Sequence, residues 1–274
     1  ILISFISVTL LDYLCYLFAR SKGIKILNLR PTRIDDRVIF SNTLNDPDRF
    51  VSHYYEEYLK GKRNNSLETS KKYISRVIET NSLYEGVVKP SDVTAMSSSF
   101  FKALNPIKIF TFIRKVIRNY INDVYKDNHV INPFTNFFYT SILNPIKARI
   151  IRFYLRKSYL EEVDFENKKF IFFPLHTEPE VSLLVYGRPF INQIELIRII
   201  ALSMPIDMNL YVKEHPWMLG KRSLKAYKKI LEIPRVKLIS PSIDSRRIVN
   251  KSFLVSVITG SIALEAAILG KPVI

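Results

Sequence analysis

The sequence predicts an α/β protein whose C-terminal part is a doubly wound parallel sheet, preceded by a partial N-terminal α/β half and a helical insertion. Three observations predict this class. Apolar runs alternate with helical patterns from about Lys168 onwards, strand, helix and strand follow one another within the first forty residues, and the stretch between has helical spacing. The predicted division is an N-terminal α/β remnant at 1–44, a basic helical region at 45–160 and an incomplete C-terminal Rossmann-like domain at 161–274.

The composition is that of a folded globular protein. The chain has 274 residues, of which 47% are apolar, enough for one large domain or two ordinary ones. The single cysteine, Cys15, excludes an internal disulfide framework, and four scattered histidines show no zinc-binding spacing, so we expect no metal site. Cysteine usage favours a reducing compartment such as the cytoplasm. Without an initiator methionine, and ending in "LGKPVI" inside an expected strand, the chain is predicted to be a piece of a longer protein.

Positive charge is concentrated in the middle of the chain. The formal net charge is +16, and residues 101–160 carry eleven Lys/Arg against Asp123 and Asp127, a local net charge of +9. Such a segment can bind nucleic acid, anionic lipid or a phosphorylated substrate, or it can be a solvated basic face without a partner.

The first forty residues predict a βαβ unit. The opening "ILISFISVTLLDYLCYLFAR" is long enough to be a transmembrane helix, but Asp12 would then lie near the bilayer centre at a cost of about 2.5–3.5 kcal/mol. A strand at about residues 1–5 and a helix from Ser7 to Arg20, with Gly23 beyond its end, use the same residues better. A second strand in "GIKILNLRP" completes the unit.

Helices are predicted through the middle of the chain. "DPDRFVSHYYEEYLKG" and "SLETSKKYISRVIETN" are followed by "LNPIKIFTFIRKVIRNYI" (104–121) and "LNPIKARIIRFYLRKSYL" (143–160), each of the last two with Asn as N-cap and Pro at the first helical position. These two helices are amphipathic and basic. They can lie on an anionic membrane surface or pack on the protein's own core.

The C-terminal part alternates strands and helices. "FIFFPL" is a continuous apolar run typical of a central parallel strand. Further strands are expected in "MNLYVKEHP", "VKLISP", "FLVSVITG" and "KPVI", with helices in "NQIELIRIIALSM", "RSLKAYKKILEI", "SIDSRRIVNKS" and "SIALEAAILG". In such sheets ligands bind beyond the carboxyl ends of the strands. Three strand ends are rich in functional groups, namely "HTEPE" (176–180), "KEHP" (213–216) and "TGS" (259–261).

The turn Thr259-Gly260-Ser261 joins a strand to a helix and is a candidate phosphate site. The glycine allows close backbone approach, and the helix N-terminus presents free amides to an anion. Glu265 lies one turn further on the same helix face, where a carboxylate can accept ribose hydroxyls. The alternative is an ordinary turn with an N-cap and a solvent-facing helix charge.

The other two strand ends offer cations and carboxylates. Lys213 and His215 alternate with Glu214, so strand geometry predicts that they point to one side, towards a diphosphate or nucleotide phosphate, while Glu214 points to the other. Pro216 should hold His215 out of helical conformation.

The segment 176–180 contributes His176, Glu178 and Glu180, among which a carboxylate beside an imidazole can act as a general base on an acceptor hydroxyl. The alternatives are structural. His215 can serve as a hydrogen-bonding residue, Glu180 can cap the helix after Pro179, and His176 can bond to the backbone.

Four segments together resemble a known family. "FIFFPLHTEPEVS", "NQIELIRIIA", "LYVKEHPWMLG" and "VITGSIALEAAILGKPVI", in this order and spacing, resemble the capsule polysaccharide biosynthesis family, which is similar to sugar transferases of the GT-B type and has relatives that transfer Kdo from a CMP-activated donor. The resemblance covers residues 168–274 densely and the N-terminal half more loosely.

The resemblance implies a two-domain GT-B-like glycosyltransferase with the donor nucleotide in the C-terminal domain. It implies that His215 and Pro216, and the turn Thr259-Gly260-Ser261, hold the donor phosphate. It places the donor ribose at Glu265. For the acidic base it suggests Glu180 first and Glu178 second.

The predicted function is therefore transfer of a sugar from a nucleotide-activated donor, CMP- or UDP-linked, to a glycan or lipid-linked acceptor in capsular or surface polysaccharide synthesis. We expect no cofactor, no metal and no nucleic-acid partner, and a location on the inner face of the cytoplasmic membrane reached through residues 101–160. Two alternatives stay open. They are a UDP-sugar 2-epimerase of the same fold and a non-catalytic component of polysaccharide assembly or export.

Overall fold

The computed structural model describes residues 1–5, 10–32, 34, 37–43, 49–62, 67–80, 106–122, 138–161, 165, 168–180 and 182–274. They fall into two compact units. The first unit contains Ile1–Val87, Pro179–Ile191 and Val257–Lys271, and the second unit contains Val88–Glu178, Asn192–Ser256 and Pro272–Ile274. The domain boundaries predicted at 44/45 and 160/161 stay a prediction.

The helices and strands follow one another as the sequence patterns predict, with a few exceptions. Before the central sheet they are β1 (Leu2–Ser4), α1 (Leu10–Ser21), β2 (Ile26–Pro31), β3 (Val38–Ser41), α2 (Arg49–Leu59), α3 (Leu67–Thr80), α4 (Pro106–Asn122) and α5 (Asn144–Leu155). After it begins they are β4 (Tyr159–Leu160), β5 (Phe170–Pro174), α6 (Gln193–Ser203), β6 (Asn209–Lys213), α7 (Leu224–Leu231), β7 (Val236–Ile239), α8 (Ser245–Lys251), β8 (Leu254–Val255) and α9 (Ile262–Ile268). No helix in these described ranges is both long and apolar enough to span a bilayer.

The first unit contains a three-stranded sheet in the order β1-β2-β3. β1 and β2 are parallel and joined by α1, which confirms the predicted strand–helix–strand arrangement. Gly23 follows the helix with a left-handed φ of 65°, the conformation expected at a helix end. The predicted N-cap, Ser7, lies outside the described residues.

The strand β3 was not predicted from the sequence. It pairs antiparallel with β2, from Asn28 opposite Ser41 to Pro31 opposite Val38. The intervening turn is closed by the amide of Thr32, which donates to the carbonyl of Arg37 at 3.0 Å. The short pattern "VIFS" carries too few residues to be separated from a loop.

The second unit is built on a five-stranded parallel sheet in the order β4-β7-β6-β5-β8. The central strands β5 and β6 are buried over nearly their whole length, as expected when helices cover both faces of a parallel sheet. Phe170 of β5 stacks on Tyr211 of β6, with ring centroids 4.4 Å apart. The predicted α/β class with a parallel C-terminal sheet is confirmed.

The segment predicted as one helix over 143–160 differs in two ways. The helix ends at Leu155, and Tyr159–Leu160 forms the edge strand β4 beside β7. Asn144 is not an N-cap, because a π-helical turn at Tyr139–Leu143 leads straight into α5 and Asn144 already has helical angles. Its amide donates to the carbonyl of Tyr139, so the helix has no free start there. Asn105, the matching residue before α4, lies outside the described residues.

The last two predicted strands are shorter than expected. In "FLVSVITG" the strand β8 comprises Leu254 and Val255, and "KPVI" contributes a parallel bridge between Val273 and Val255. Both lie at one edge of the sheet, next to β5.

Candidate functional site

The carboxyl ends of β5 and β6 lie side by side in the second unit. Pro174 is opposite Lys213 in the parallel register, and the amide of Leu175 donates to the carbonyl of Lys213 at 2.9 Å. The segments that begin at His176 and at Glu214 therefore leave the sheet from the same edge. This is the edge where a parallel sheet presents ligand-binding groups.

Glu214 is the most deeply buried acidic residue at this edge, with 2% of its surface exposed. Its Oε2 accepts from Nε of Arg222 at 2.6 Å and from the hydroxyl of Tyr227 at 2.8 Å. Its Oε1 accepts from the backbone amide of His215 at 2.8 Å. The carboxylate thereby ties the end of β6 to α7 and fixes the backbone of the neighbouring histidine.

Arg222 joins the two strand ends. Besides Glu214, its guanidinium donates through Nη1 to Oε1 of Glu178 at 3.1 Å and through Nη2 to the carbonyl of His176 at 3.0 Å. The planar fork of arginine suits such a set of acceptors. One buried cation therefore holds both segments in place.

Gln193, at the start of α6, completes this framework and is 1% exposed. Its Oε1 accepts from the amide of His176 at 2.7 Å, and its Nε2 donates to the carbonyl of His176 at 3.3 Å and to the carboxylate of Glu178. The backbone of His176 is thus satisfied at both its N–H and its C=O. We call Gln193, Glu178, Glu214, Arg222 and Tyr227 the strand-end network.

Burial and neighbouring charges shift the pKa values of three members of the strand-end network. It raises the pKa of Glu214, while Arg222, the Tyr227 hydroxyl and the amide of His215 act in the opposite direction. Burial and the charge of Glu214 raise the pKa of Tyr227, so its hydroxyl stays a hydrogen-bond donor. Burial lowers the pKa of Arg222, but the carboxylates of Glu214 and Glu178 outweigh this and the net direction is upward.

Lys213 is buried at the last position of β6. Its Nζ donates to Oγ of Ser245, the first residue of α8, at 2.8 Å. Lys213 and Glu214 thus bond to different helices, as the alternation of a strand predicts.

His215 is half-buried and extended, with φ −66° and ψ 130°, as expected for a residue before proline. Its Nδ1 accepts from the amide of Trp217 at 3.3 Å, so a neutral ring carries its proton on Nε2. His215 therefore makes a structural hydrogen bond, which was one of the alternatives predicted from the sequence. Its Nε2–H is a donor suited to a phosphate oxygen. That His215 shares the side of Lys213 stays a prediction.

The remaining candidates belong to the first unit. The carbonyl of Glu180 accepts from the amides of Leu183 and Leu184 at 3.1 and 2.9 Å, so this residue starts the π-helical turn Ser182–Tyr186. Ser261 occupies the N-cap position of α9, with helical angles, and its side chain makes no capping hydrogen bond. Thr259, Gly260 and Glu265 are half-buried around the same turn. The grouping of this turn with Lys213 and His215 in one site stays a prediction.

Arg222, Gln193 and Tyr227 were not predicted from the sequence. One signal was available, because Glu214 follows a fully buried strand and a buried carboxylate requires a cation and hydrogen-bond donors. The first arginine downstream is Arg222, in "LGKRS". Within the described part of the chain, no cluster of three or more His, Cys, Asp or Glu side chains is placed to hold a metal ion.

A family model described as "Capsule polysaccharide biosynthesis protein" matches residues 112–274, more than half of the chain. The chain belongs to the capsule polysaccharide biosynthesis protein family. This confirms the resemblance found in the four sequence segments. No curated protein matches the chain significantly.

Three solved structures illustrate what this family member is similar to. A beta Kdo 2,7 transferase, KpsC of Thermosulfurimonas dismutans, is 20% identical over 58% of this chain and 45% of its own, with a TM-score of 0.31. A putative UDP-N-acetylglucosamine 2-epimerase from Listeria monocytogenes is 24% identical over 43% of this chain and 32% of its own, with a TM-score of 0.30. The UDP-GlcNAc 2-epimerase from Methanocaldococcus jannaschii is 16% identical over 48% and 34%, with a TM-score of 0.30. The chain spans less than half of each of these proteins, and similarities at this level carry no functional argument.

Proposed function

We propose that this chain is part of a glycosyltransferase of capsular polysaccharide biosynthesis, which transfers a sugar from a nucleotide-activated donor to a glycan or lipid-linked acceptor. Family membership supports the pathway. The observation that supports the chemistry is the strand-end network, which fixes the backbone of His215 at the ligand-binding edge of a parallel sheet, directly after Lys213 at the end of β6.

In the proposed reaction an acceptor hydroxyl oxygen attacks the anomeric carbon of the donor sugar. The bond from that carbon to the donor phosphate oxygen breaks, and the nucleotide leaves with the bonding electrons. Lys213 and His215 stabilise the negative charge on the departing phosphate, and a carboxylate accepts the hydroxyl proton. Thr259, Gly260 and Ser261 contact the same phosphate, and Glu265 accepts the ribose hydroxyls.

Between the two candidate bases, the contacts of Glu178 count against Glu178. Oε1 of Glu178 already accepts from Arg222 and Gln193, so this carboxylate has a structural role that proton transfer would disturb. We keep Glu180 as first candidate for the base and Glu178 as second. The side chain of His176 is buried and remains a candidate for orienting the base.

The deciding experiment is a donor screen on the full-length protein, with His215→Ala and Lys213→Met compared against Lys221→Met. Lys221 is exposed in the same loop and controls for loss of a nearby positive charge. We expect kcat to fall at least about a hundredfold in the first two variants, in line with the loss of charge stabilisation in the transition state, and to be unchanged in the control. Wild-type transfer by His215→Ala would refute the role given to the histidine.

Two other outcomes would replace the proposal. Formation of a 2-epimer from UDP-GlcNAc in the absence of acceptor would identify an epimerase. If calorimetry shows no affinity for CMP-, UDP- or GDP-sugars, the protein is a non-catalytic component of assembly or export.

We also propose that α4 places the enzyme on the inner face of the cytoplasmic membrane. Ile107 and Phe110 are 72% and 68% exposed, and Ile117 continues the same stripe two turns later. Arg114 and Arg118 are exposed on the same helix. Arg114 lies within this face, between Ile107 and Ile117. A face that combines exposed apolar side chains with arginine suits an interface of anionic lipid headgroups.

A further inference from the structure

A cavity of about 410 Å³ lies within the first unit. It is formed by α3, by α9 and by residues 34 and 37, which precede β3. Its volume falls in the range of small-molecule sites, roughly 300–1,000 Å³. None of the residues proposed above for sugar transfer belongs to its described walls.

Positive charge faces this cavity. Lys72 and Arg76 are one helical turn apart on α3, so both project from the same face, and Arg37 lines the cavity from the segment before β3. The described lining residues include no carboxylate. Asp35 and Asp36, which precede Arg37 in the sequence, lie outside the described residues. Three cations on one set of walls are typical of an anion site.

Tyr73 lines the cavity. The guanidinium of Arg76 lies over its ring, with Cζ 5.4 Å from the ring centroid, and this contact holds Arg76 at the cavity wall. The hydroxyl of Tyr73 is buried and out of contact with solvent, so a ligand in the cavity does not reach it.

The remaining walls are mainly apolar. Leu264 and Ile268 are one turn apart on α9 and face the cavity together with Ile74. An inorganic anion would leave these side chains without contacts. The cavity therefore fits a molecule that combines an anionic group with an apolar or flat body.

We propose that this cavity binds a phosphate ester whose body is apolar or flat, with its phosphate oxygens against Arg37, Lys72 and Arg76. Arginine and lysine are the usual partners of phosphate oxygens. The same chemistry is found in a prenyl-type lipid phosphate and in a nucleoside monophosphate. The inference does not depend on the proposed sugar transfer, since it uses other residues.

The test is calorimetric titration of the 274-residue chain with farnesyl phosphate, uridine monophosphate, inorganic phosphate and farnesol. The variants are Lys72→Met with Arg76→Met, and Arg37→Met. Lys71→Met is the matched control, because Lys71 is an exposed neighbour that pairs with Glu68 at 3.9 Å and is not among the described lining residues. His215→Ala separates this cavity from the proposed donor site. Circular dichroism establishes that each variant is folded.

We expect one of the two phosphate esters to bind in a way that the double variant weakens, and that ester identifies the source of the ligand. The double variant should weaken binding at least about tenfold and Arg37→Met about threefold, while Lys71→Met leaves the Kd unchanged. The proposal is overturned if neither ester binds, if farnesol binds as tightly as farnesyl phosphate, or if inorganic phosphate binds as tightly as the esters. It is also overturned if binding is lost in His215→Ala but retained in the folded double variant, and Arg37→Met provides the test should the double variant not fold.

Discussion

Replacing Arg222 by methionine should destabilise the second unit by about 3–5 kcal/mol, the loss typical of a buried ion pair broken from one side. The pair joins Nε of Arg222 to Oε2 of Glu214 at 2.6 Å, where an effective dielectric constant of about 20 gives an attraction of roughly 6 kcal/mol. Desolvation of both charges offsets part of this attraction. The second pair, with Glu178 at 3.1 Å, adds less, because the side chain of Glu178 is 40% exposed and solvent screens it.

The loss can be measured by urea unfolding followed through the fluorescence of Trp217, the single tryptophan of the chain, which lies in the second unit. Lys221→Met is the control and should change the free energy of unfolding by less than about 0.5 kcal/mol, since Lys221 is exposed. If Arg222→Met loses less than about 1 kcal/mol, or no more than the control, the strand-end network does not hold this edge of the sheet.

The same variant should become more sensitive to high pH. Burial raises the folded-state pKa of Glu214 above its ordinary value of 4.5, so its contribution to stability is full below that value and is lost as pH rises through the folded pKa. Without Arg222 the folded pKa rises further. The destabilisation of Arg222→Met should therefore be larger at pH 8 than at pH 5, and a difference that is constant with pH would contradict the assignment.

Three further changes test other parts of the molecule. Gly220→Ala should cost at least about 2 kcal/mol of unfolding free energy, because its φ is 85° and a Cβ would overlap a backbone carbonyl. Gly23→Ala should cost about 1 kcal/mol, because Gly23 also has a positive φ but a Cβ there would meet open space. Equal losses of stability in thermal unfolding would contradict this. Tyr227→Phe should lose about 1–2 kcal/mol in the same assay by removing a donor to Glu214, and no loss would mean that the hydroxyl is not needed. Phe110→Ser should weaken binding to phosphatidylserine-containing vesicles about tenfold in sedimentation, and unchanged binding would exclude α4 as the contact.

The elements with strong local patterns could be predicted from the sequence. β5 and β6 are continuous apolar runs, and α6 and α7 have helical spacing with capping side chains at Asn192 and Ser223. β4 could not be predicted, because two residues at a sheet edge carry no period. The start of α5 was misplaced because the π-helical turn before it depends on the preceding backbone and not on an Asn-Pro pair.

The candidate site was predictable only in part. The rule that ligands lie beyond strand ends located His176, Glu178, Lys213 and His215 at one edge of the sheet. It could not supply Arg222, whose partner Glu178 is 44 residues away in the sequence. Side-chain pairings over such separations depend on the folded path of the chain. A local pattern cannot encode them.

The central position of β5 has a consequence for biosynthesis. Its five residues, "FIFFP", form a strand that pairs with β6 on one side and β8 on the other, and these begin about 40 and 80 residues later in the chain. At about 5–20 residues per second, a ribosome delivers the first of these partners roughly 2–8 s after β5 itself. During that interval an aromatic segment with high β-propensity has no strand to pair with, and its protection against aggregation comes from Lys168 and Lys169 before it and Pro174 at its end. Slower translation or low temperature lengthens the interval in which β5 is unpaired. The yield of soluble protein should therefore depend on chaperone supply more than on the free energy of unfolding of the folded chain.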